Sequence, residues 1–247
     1  MAPTIYLPMD AMREIKIAVS RAVKANKLAV PAVSEADLFS HPLDIRLIDL
    51  EQVDGNTTLR EQILIVALAK RRDAQKVFEF GTFDGKTSAN LAANLGPEAE
   101  ILTIDLEAAQ AGATRMSIGK KDLRFVRKDQ IGAKLGSFSG VVQLFGDTGR
   151  FDFSPWYRTR DLVFVDACHE YQYVRNDTEI AFKLLQPSGL LIWHDYGTWV
   201  GVTRALNEFY VLDPRFRALR HIAGTAICFL EVGLDHPEEP PPVCRVL

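Results

Sequence analysis

The 247-residue sequence has few cysteines and no long apolar segment. Its three cysteines, Cys168, Cys228 and Cys244, form no CxxC pair, which argues against a disulfide framework and against a thiolate metal site. The longest uninterrupted apolar run covers residues 63–69, far short of the ~18 residues that a membrane-spanning helix needs. The first residues show no basic stretch followed by an apolar core, so no signal peptide is expected. Together these absences predict a cytoplasmic protein.

The sequence also lacks an excess of charge of either sign. It has 29 basic and 32 acidic residues, for a net charge of -3. A charge this close to zero does not draw a protein to nucleic acid or to an anionic membrane. With 47% hydrophobic and 25% charged residues, the composition is that of a globular chain. We therefore expect no nucleic-acid partner and no membrane partner, and leave homo-oligomerisation open.

The pattern of apolar residues divides the chain into three regions. Residues 1–75 are predicted to be a helical N-terminal extension, because apolar residues recur at helical spacing there. Residues 76–233 form the main domain, in which the texture of the sequence changes. Residues 234–247 are a proline-rich tail that we expect to be loose.

Two helices are predicted within the N-terminal extension. The first covers residues 10–28 and has apolar residues on one face. The second covers residues 59–70 and follows Thr58, which with Glu61 has the spacing of a capping box.

Within the main domain, short apolar runs alternate with helical stretches. This alternation is typical of βαβ units, in which a parallel sheet carries helices on both faces. The predicted strands cover residues 77–80, 101–104, 141–145, 162–165 and 190–193, with helices over 86–95, 174–185 and 202–210. Two late runs, residues 219–222 and 226–232, are separated by three residues and predict an antiparallel hairpin at the sheet edge.

Residues 111–140 fit neither a strand nor a helix. They contain seven basic residues against two acidic ones. We interpret this stretch as a solvated insertion; the alternative is a binding patch for an anionic partner.

The strongest functional signal is the segment from Glu79 to Ser88, which follows a predicted strand and opens a predicted helix. Ligands bind at such turns in open α/β sheets. The spacing excludes a Walker loop, because only three residues separate Gly81 from Gly85-Lys86-Thr87. Phe83 stands where a dinucleotide fingerprint needs glycine. The remaining pattern, an acidic residue followed by Gly-x-x-x-Gly, suits S-adenosylmethionine, since Glu79 would accept from an ammonium group and repel phosphate.

Two further acidic residues follow the next predicted strands. Asp105 lies 20 residues after Gly85, where an acid can hold ribose hydroxyls. Asp147, preceded by Gly146, ends the next strand and could face the adenine. The alternative for each acid is an ordinary turn position.

The ends of the fourth and fifth predicted strands carry the most specific pattern. Asp166 and Asp195 are 29 residues apart, one strand–helix–strand unit, so both should lie at the same edge of the sheet. With His194 they form a candidate site for a divalent cation, Mg²⁺ or Mn²⁺. His169, three residues after Asp166, is a candidate general base because its unperturbed pKa is near neutral. The alternative is a histidine at a helix start that bonds to the backbone.

With the glycine loop, Asp166-x-x-His169-x-Tyr171 and His194-Asp195, the chain resembles the class I S-adenosylmethionine-dependent methyltransferases. Within this class it looks like the group that includes macrolide-sugar O-methyltransferases and cephalosporin hydroxylase-like proteins, and the resemblance covers about residues 56–232. The resemblance implies an α/β, Rossmann-like sheet of seven strands in the order 3-2-1-4-5-7-6, mostly parallel, with the last strand antiparallel and helices on both faces. It also implies methyl transfer to a hydroxyl group of a small molecule, a sugar or a natural-product intermediate.

The resemblance also assigns roles to residues of this sequence. Those that would contact S-adenosylmethionine are Glu79, Gly81, Thr82, Phe83, Gly85, Thr87, Asp105, Gly146, Asp147 and Asp166. Asp166, His194 and Asp195 fall at metal positions, and His169 at the position of the base. Since imidazole is a poorer ligand for Mg²⁺ than a carboxylate, His194 favours a softer ion or none. A non-catalytic S-adenosylmethionine-binding protein and a hydroxylase remain open as alternatives.

Overall fold

The computed structural model describes residues 28–126, 129–136 and 138–233. Within these residues, eight strands form one sheet in the order β1-β7-β8-β6-β5-β2-β3-β4. The strands are β1 (Ala32–Val33), β2 (Lys76–Phe80), β3 (Glu100–Asp105), β4 (Val141–Phe145), β5 (Arg160–Val165), β6 (Leu185–Trp193), β7 (Arg220–Ile222) and β8 (Cys228–Glu231). The helices are α1 (Glu35–Leu38), α2 (Leu59–Arg71), α3 (Lys86–Leu95), α4 (Lys120–Leu123), α5 (Tyr171–Leu184) and α6 (Val200–Leu212).

The order of the sheet confirms the fold predicted from the sequence. Strands β2 to β8 correspond to the seven predicted strands and lie in the order 3-2-1-4-5-7-6. Strand β8 runs antiparallel to both β6 and β7, and the other neighbouring pairs are parallel. The difference is an eighth strand, β1, which pairs with β7. The sequence predicted the β7–β8 hairpin at the edge of the sheet. This part of the prediction is wrong, because β1 lies outside β7.

The predicted helical N-terminal extension needs correction. Residues 28–58 contain only the short strand β1 and the four-residue helix α1, and their other residues form no helix. Helix α2 was predicted correctly, with the capping box of Thr58 and Glu61 in place. The helix predicted over 10–28 and the tail over 234–247 lie, except for Leu28, outside the described residues.

Helix α2 belongs to the same packing unit as the sheet. Its residues Ile65 and Leu68 are fully buried in one cluster with Val77 of β2 and Ile101 of β3. Burying a side chain of this size contributes ~1.5–3 kcal/mol relative to leaving it exposed. The hydrophobic core therefore continues across the predicted domain boundary between residues 75 and 76.

The sheet is buried on both faces. Side chains alternate along a strand, so Val77 points to the face covered by α2 and α3, and Phe78 and Phe80 point to the face covered by α5 and α6. This explains why the strands read as continuous apolar runs rather than as an alternating pattern. No helix among the described residues is long and apolar enough to span a bilayer.

The parallel strands bring the predicted site residues to one edge of the sheet. Gly81, Asp105 and Asp166 follow or end β2, β3 and β5, which lie side by side. The close approach of β2 and β5 requires glycine at position 81: its φ is +94°, and a Cβ there would lie 2.1 Å from the backbone oxygen of Asp166. The backbone at Gly81 and Asp166 therefore determines the shape of the sheet edge at which a ligand can bind.

Candidate active site

A cavity of about 280 Å³ opens at this edge of the sheet. Six of the predicted cofactor residues line it: Gly81, Phe83, Asp105, Gly146, Asp147 and Asp166. The predicted base His169 and the other two predicted metal ligands, His194 and Asp195, line it as well. The structure therefore brings most of the predicted site together around one space.

Four predicted cofactor residues, Glu79, Thr82, Gly85 and Thr87, do not line the cavity. Glu79 is buried in the face of the sheet below α3, where it accepts hydrogen bonds from Ser88 Oγ (2.5 Å) and Thr103 Oγ1 (2.6 Å). Burial raises the pKa of Glu79 to about 8, so its carboxyl group is mainly protonated at neutral pH.

Their contacts explain why these residues lie behind the loop rather than in the cavity. The Thr82 hydroxyl lies 2.8 Å from Thr103 Oγ1, and Thr87 Oγ1 accepts from Gln62 at 2.8 Å. Gly85 is the N-cap of α3 and has a φ of +87°. These residues shape the turn, and their contact with the cofactor stays a prediction.

Asp105 holds the glycine loop in position. Its carboxylate accepts hydrogen bonds from the backbone N–H of Phe83 (2.6 Å) and of Leu106 (2.7 Å). Phe83 has a φ of +49°, a conformation that is costly for a residue with a side chain. The bond from Asp105 stabilises this conformation and links the ends of β2 and β3 at the cavity wall.

Asp147 connects three parts of the cavity wall. It accepts from the Tyr173 hydroxyl at 2.8 Å, from Gly149 N–H at 2.9 Å and from Arg115 N–H at 2.6 Å. Burial and the hydrogen bond to Asp147 raise the pKa of Tyr173 to about 12, so the Tyr173 hydroxyl stays protonated and donates. The end of β4 is thereby tied to α5 and to the chain around residue 115.

His169 lies between two carboxylates. Its Nδ1 bonds to Asp122 Oδ1, and its Nε2 lies 2.7 Å from Asp195 Oδ2. The ring stacks on Trp199, with centroids 4.1 Å apart and planes at 11°. Burial disfavours the charged ring, but Asp122 and Asp195 outweigh burial and raise the pKa of His169 to about 9. The residue lies just before α5 rather than in its first turn.

His194 is a second imidazole among carboxylates. Its Nδ1 lies 3.2 Å from Asp166 Oδ1 and 3.4 Å from Asp195 Oδ2, and its Nε2 lies 3.2 Å from Glu61 Oε2. Burial opposes the charge on His194, but these acids hold its pKa well above the usual value. Glu61 was predicted only as a helix cap, and no local signal in the sequence indicated its contact with His194.

Asp195 occupies a strained position at the centre of these contacts. Its φ is +66°, which is uncommon for a residue other than glycine and recurs at functional sites. Burial would raise its pKa, but His169 and His194 outweigh burial and lower it. Asp195 is therefore ionised and shared between the two imidazoles.

A group suited to metal binding differs in one member from the predicted set. Among the described residues, three side chains of Asp, Glu, His or Cys bring ligand atoms within 4.8 Å of one another: Asp166, His169 and Asp195. The predicted ligand His194 is not in this group, because its ring lies between Asp166 and Glu61. Sequence spacing placed both histidines at this edge of the sheet but could not tell which ring forms the compact group with Asp166 and Asp195.

Part of the segment 111–140 lines the cavity, although Asp122 is the one buried residue among those of the segment that the structure describes. Asp122 is 5% exposed and accepts from the backbone N–H of His169 at 3.1 Å. The Phe125 ring packs edge-on against Trp199, with centroids 6.2 Å apart. Part of its basic charge is also paired within the chain, for example Lys134 with Asp84 at 3.0 Å. Asp122 and Phe125 were not predicted as site residues, because the many basic residues around them indicated a solvent-exposed segment.

Comparison with known families identifies the domain. A family model described as a methyltransferase domain matches residues 78–196. Residues 78–196, just under half of the chain, thus belong to a methyltransferase domain. Its sheet order places it in class I, the Rossmann-like methyltransferases that use S-adenosylmethionine. No curated protein matches the sequence.

Solved structures of methyltransferases share this fold. The O-methyltransferase TomG from Streptomyces achromogenes, involved in tomaymycin synthesis and solved with S-adenosylmethionine, is 20% identical, with 87% of this chain and 90% of TomG covered and a TM-score of 0.50. The methyltransferase PaMTH1 from Podospora anserina, solved with S-adenosylhomocysteine, is 13% identical, with 94% and 99% covered and a TM-score of 0.52. At these identities the similarity establishes the common fold.

Proposed function

We propose that this methyltransferase transfers the methyl group of S-adenosylmethionine to a hydroxyl group of a small molecule, with His169 taking the proton of the acceptor. The observation that supports this most directly is the position of His169. It lines the same cavity as the loop of Gly81 and Phe83, so a donor at the loop and a base at the ring would face one enclosed space.

The donor would bind along the ends of β2, β3 and β4. Asp105 would hold the ribose hydroxyls and Asp147 would face the adenine, since both line the cavity at the ends of β3 and β4. The methionine part would lie against Gly81 and Phe83, which line the cavity where β2 ends.

The reaction needs one displacement and one proton transfer. The acceptor oxygen forms a bond to the methyl carbon while the bond from that carbon to sulfur breaks, and S-adenosylhomocysteine leaves. The hydroxyl proton passes to Nε2 of His169. A base positioned in this way contributes typically ~10²–10⁴ in rate. Alignment of the donor carbon and acceptor oxygen in the cavity supplies a further part of the catalysis.

The contacts of His169 determine when it can act as a base. With a pKa of about 9, the ring is charged at neutral pH and must lose a proton before it can accept one. Its Nε2 bonds to Asp195 in the structure, so an acceptor hydroxyl must take the place of Asp195 at this nitrogen. We therefore infer that acceptor binding and release of Asp195 go together.

A divalent cation is the second candidate for activating the acceptor. Two carboxylates and one imidazole are a donor set that fits an ion such as Mn²⁺ better than Mg²⁺, and Asp166, Asp195 and His169 would hold it. When bound, such an ion would lower the pKa of an acceptor hydroxyl and orient it. His169 cannot bind a cation and accept a proton with the same nitrogen, so the two candidates exclude each other.

Chelation distinguishes the base from the cation. We expect methyl transfer to persist after exhaustive dialysis against EDTA, because the positive charge of His194 lies 3.2–3.4 Å from both carboxylates. The rate is measured before and after dialysis, and again after addition of Mn²⁺. Loss of turnover that Mn²⁺ restores would assign His169 as a ligand instead of the base.

Release of S-adenosylhomocysteine tests the proposed function as a whole. The protein is incubated with S-adenosylmethionine and one of three acceptors, catechol, phenol or methyl glucoside, and the methylated product is identified by mass spectrometry. We expect one methyl ether formed per S-adenosylhomocysteine released with at least one of them. Tight binding of S-adenosylhomocysteine without turnover on any hydroxyl compound would favour a non-catalytic binding protein.

A further inference from the structure

We propose that Asp122 is a positioning residue for His169: it keeps a proton on Nδ1, so that Nε2 is the nitrogen that receives the proton of the acceptor. The proposal rests on the proposed function, in which His169 is the base. It assigns a catalytic purpose to the segment that the sequence had predicted to be a solvated insertion.

Asp122 fixes His169 through two contacts of one carboxylate oxygen. Oδ1 accepts from the backbone N–H of His169 at 3.1 Å and bonds to Nδ1 of the same residue. A contact to the main chain and another to the ring define both the place of the residue and the rotation of its side chain. Trp199 stacks on one face of the ring, and Phe125 packs edge-on with centroids 6.1 Å apart. The ring therefore has one well-defined orientation in the cavity.

The two carboxylates that flank His169 differ in their other partners. Asp195 also bonds to the Thr198 hydroxyl at 2.8 Å and lies 3.4 Å from Nδ1 of His194. It keeps these partners when an acceptor replaces it at Nε2. Asp122 is buried, and its Oδ2 has no hydrogen-bond partner among the described residues. If the His169 ring moved away, this buried carboxylate would keep only its bond from the backbone N–H of His169 and would lose its contact with the imidazole, which is costly. The proton on Nδ1 is therefore the one that stays.

The chain around Asp122 is anchored to the wall of the cavity. Arg115 N–H donates to Asp147 at 2.6 Å, and Met116 N–H donates to the Tyr173 hydroxyl at 3.4 Å. Further along, Gly119 lies so close to Glu170 that a Cβ there would be 2.2 Å from Glu170 Oε1. These contacts place Asp122 beside His169 although 47 residues separate them. The position of the base thus depends on the same Asp147 that we assign to the adenine side of the donor.

An aspartate behind a histidine sets which ring nitrogen carries the proton, and asparagine at such a position favours the wrong tautomer. We expect Asp122→Asn to reduce kcat by ~10²–10⁴ with the best acceptor of the three-compound panel. The KM for S-adenosylmethionine and the affinity for S-adenosylhomocysteine should each change less than about threefold, because Asp122 does not belong to the proposed donor site. Asp44→Asn, an exposed position, is the matched control and should keep wild-type kcat.

A double-mutant comparison separates this proposal from the proposed function. In a His169→Gln background, Asp122→Asn should cause no further loss of kcat, because both changes remove the same base. If His169→Gln alone keeps wild-type kcat, the base role falls and the role of Asp122 falls with it. If His169→Gln is impaired but Asp122→Asn keeps wild-type kcat, the base stands and the positioning role is overturned.

The tautomer of His169 provides a readout that needs no acceptor. The ¹⁵N resonances of the ring, assigned by comparison with His169→Gln, show which nitrogen keeps its proton when the ring becomes neutral. In the wild-type protein we expect Nδ1 to stay protonated, and in Asp122→Asn we expect the proton on Nε2. A neutral wild-type ring with its proton on Nε2 would overturn the proposal, whether or not Asp122→Asn folds.

Discussion

Replacing His169 with glutamine is expected to reduce kcat by ~10²–10⁴ while the affinity for S-adenosylhomocysteine stays nearly unchanged. Glutamine can still hydrogen-bond to Asp122 or Asp195, but it cannot accept a proton. The proposed donor site, at Gly81 and Asp105, does not include the ring. Methyl transfer to the best acceptor of the panel and titration with S-adenosylhomocysteine measure the two quantities. His41→Gln, an exposed histidine, is the control.

The pH dependence of the wild-type rate adds a second readout for His169. Only the neutral ring can act as a base, and with a pKa of about 9 roughly 1% of the molecules are in this form at pH 7. The rate should therefore rise as the pH increases and level off above about 9. His169→Gln should lack this rise. A lowered thermal midpoint with near-normal kcat in the variant would instead indicate a purely structural histidine.

The raised pKa of His169 also predicts how the stability of the protein depends on pH. The unfolded chain has a histidine pKa of ~6.5, and the folded one about 9. The charged ring therefore stabilises the fold fully below pH ~6.5, and this stabilisation is lost as the pH rises through about 9. Activity should therefore rise over the same pH range in which the charged His169 ring stops stabilising the fold.

Replacing Gly81 with alanine is expected to destabilise the protein strongly and to abolish donor binding. The new Cβ would lie 2.1 Å from the oxygen and 2.7 Å from the carbonyl carbon of Asp166, both backbone atoms. Moving β2 away from β5 to relieve the clash would break the bond from Asp166 N–H to the Phe80 carbonyl (2.9 Å), and Gly81 N–H is also held by the Ile104 carbonyl of β3 (2.8 Å). Strain at positive φ and overpacking each cost ~1–3 kcal/mol, so the unfolding free energy should fall by roughly 2–6 kcal/mol.

Gly96→Ala is the matched control for this substitution. Gly96 has a similar φ of +92°, but a Cβ there would meet no atom within 4 Å. It shares the conformational cost without the clash, so its loss of stability should be clearly smaller than that of Gly81→Ala. Chemical denaturation measures both variants. Equal losses would show that the contact between β2 and β5 is not what requires glycine at position 81.

The fold could be predicted because its signals are local. The buried strands read as continuous apolar runs, and the spacing of Thr58 and Glu61 marked the start of α2. Strand β1 could not be predicted, since it has two residues and depends on pairing with β7, about 190 positions later. Such a strand exists only through its tertiary partner.

The candidate site was predictable in its parts that follow strand ends. Asp105, Asp166 and Asp195 could be placed at one edge because parallel strands end there together. The orientation of a side chain could not be read in the same way: Glu79 points into the buried face of the sheet rather than into the cavity. Asp122 had no signal at all, because its burial results from a contact with a residue distant in the sequence.

Titration with S-adenosylhomocysteine tests the central claim, that this cavity is the donor site of a methyltransferase. We expect the wild-type protein to bind it in the micromolar range, on the order of −7 to −8 kcal/mol, with NADH as a negative control. Asp105→Ala should weaken binding at least tenfold, whereas Asp44→Asn should not change it. Lack of binding by the wild-type protein, or unchanged affinity in a folded Asp105→Ala variant, would contradict the account.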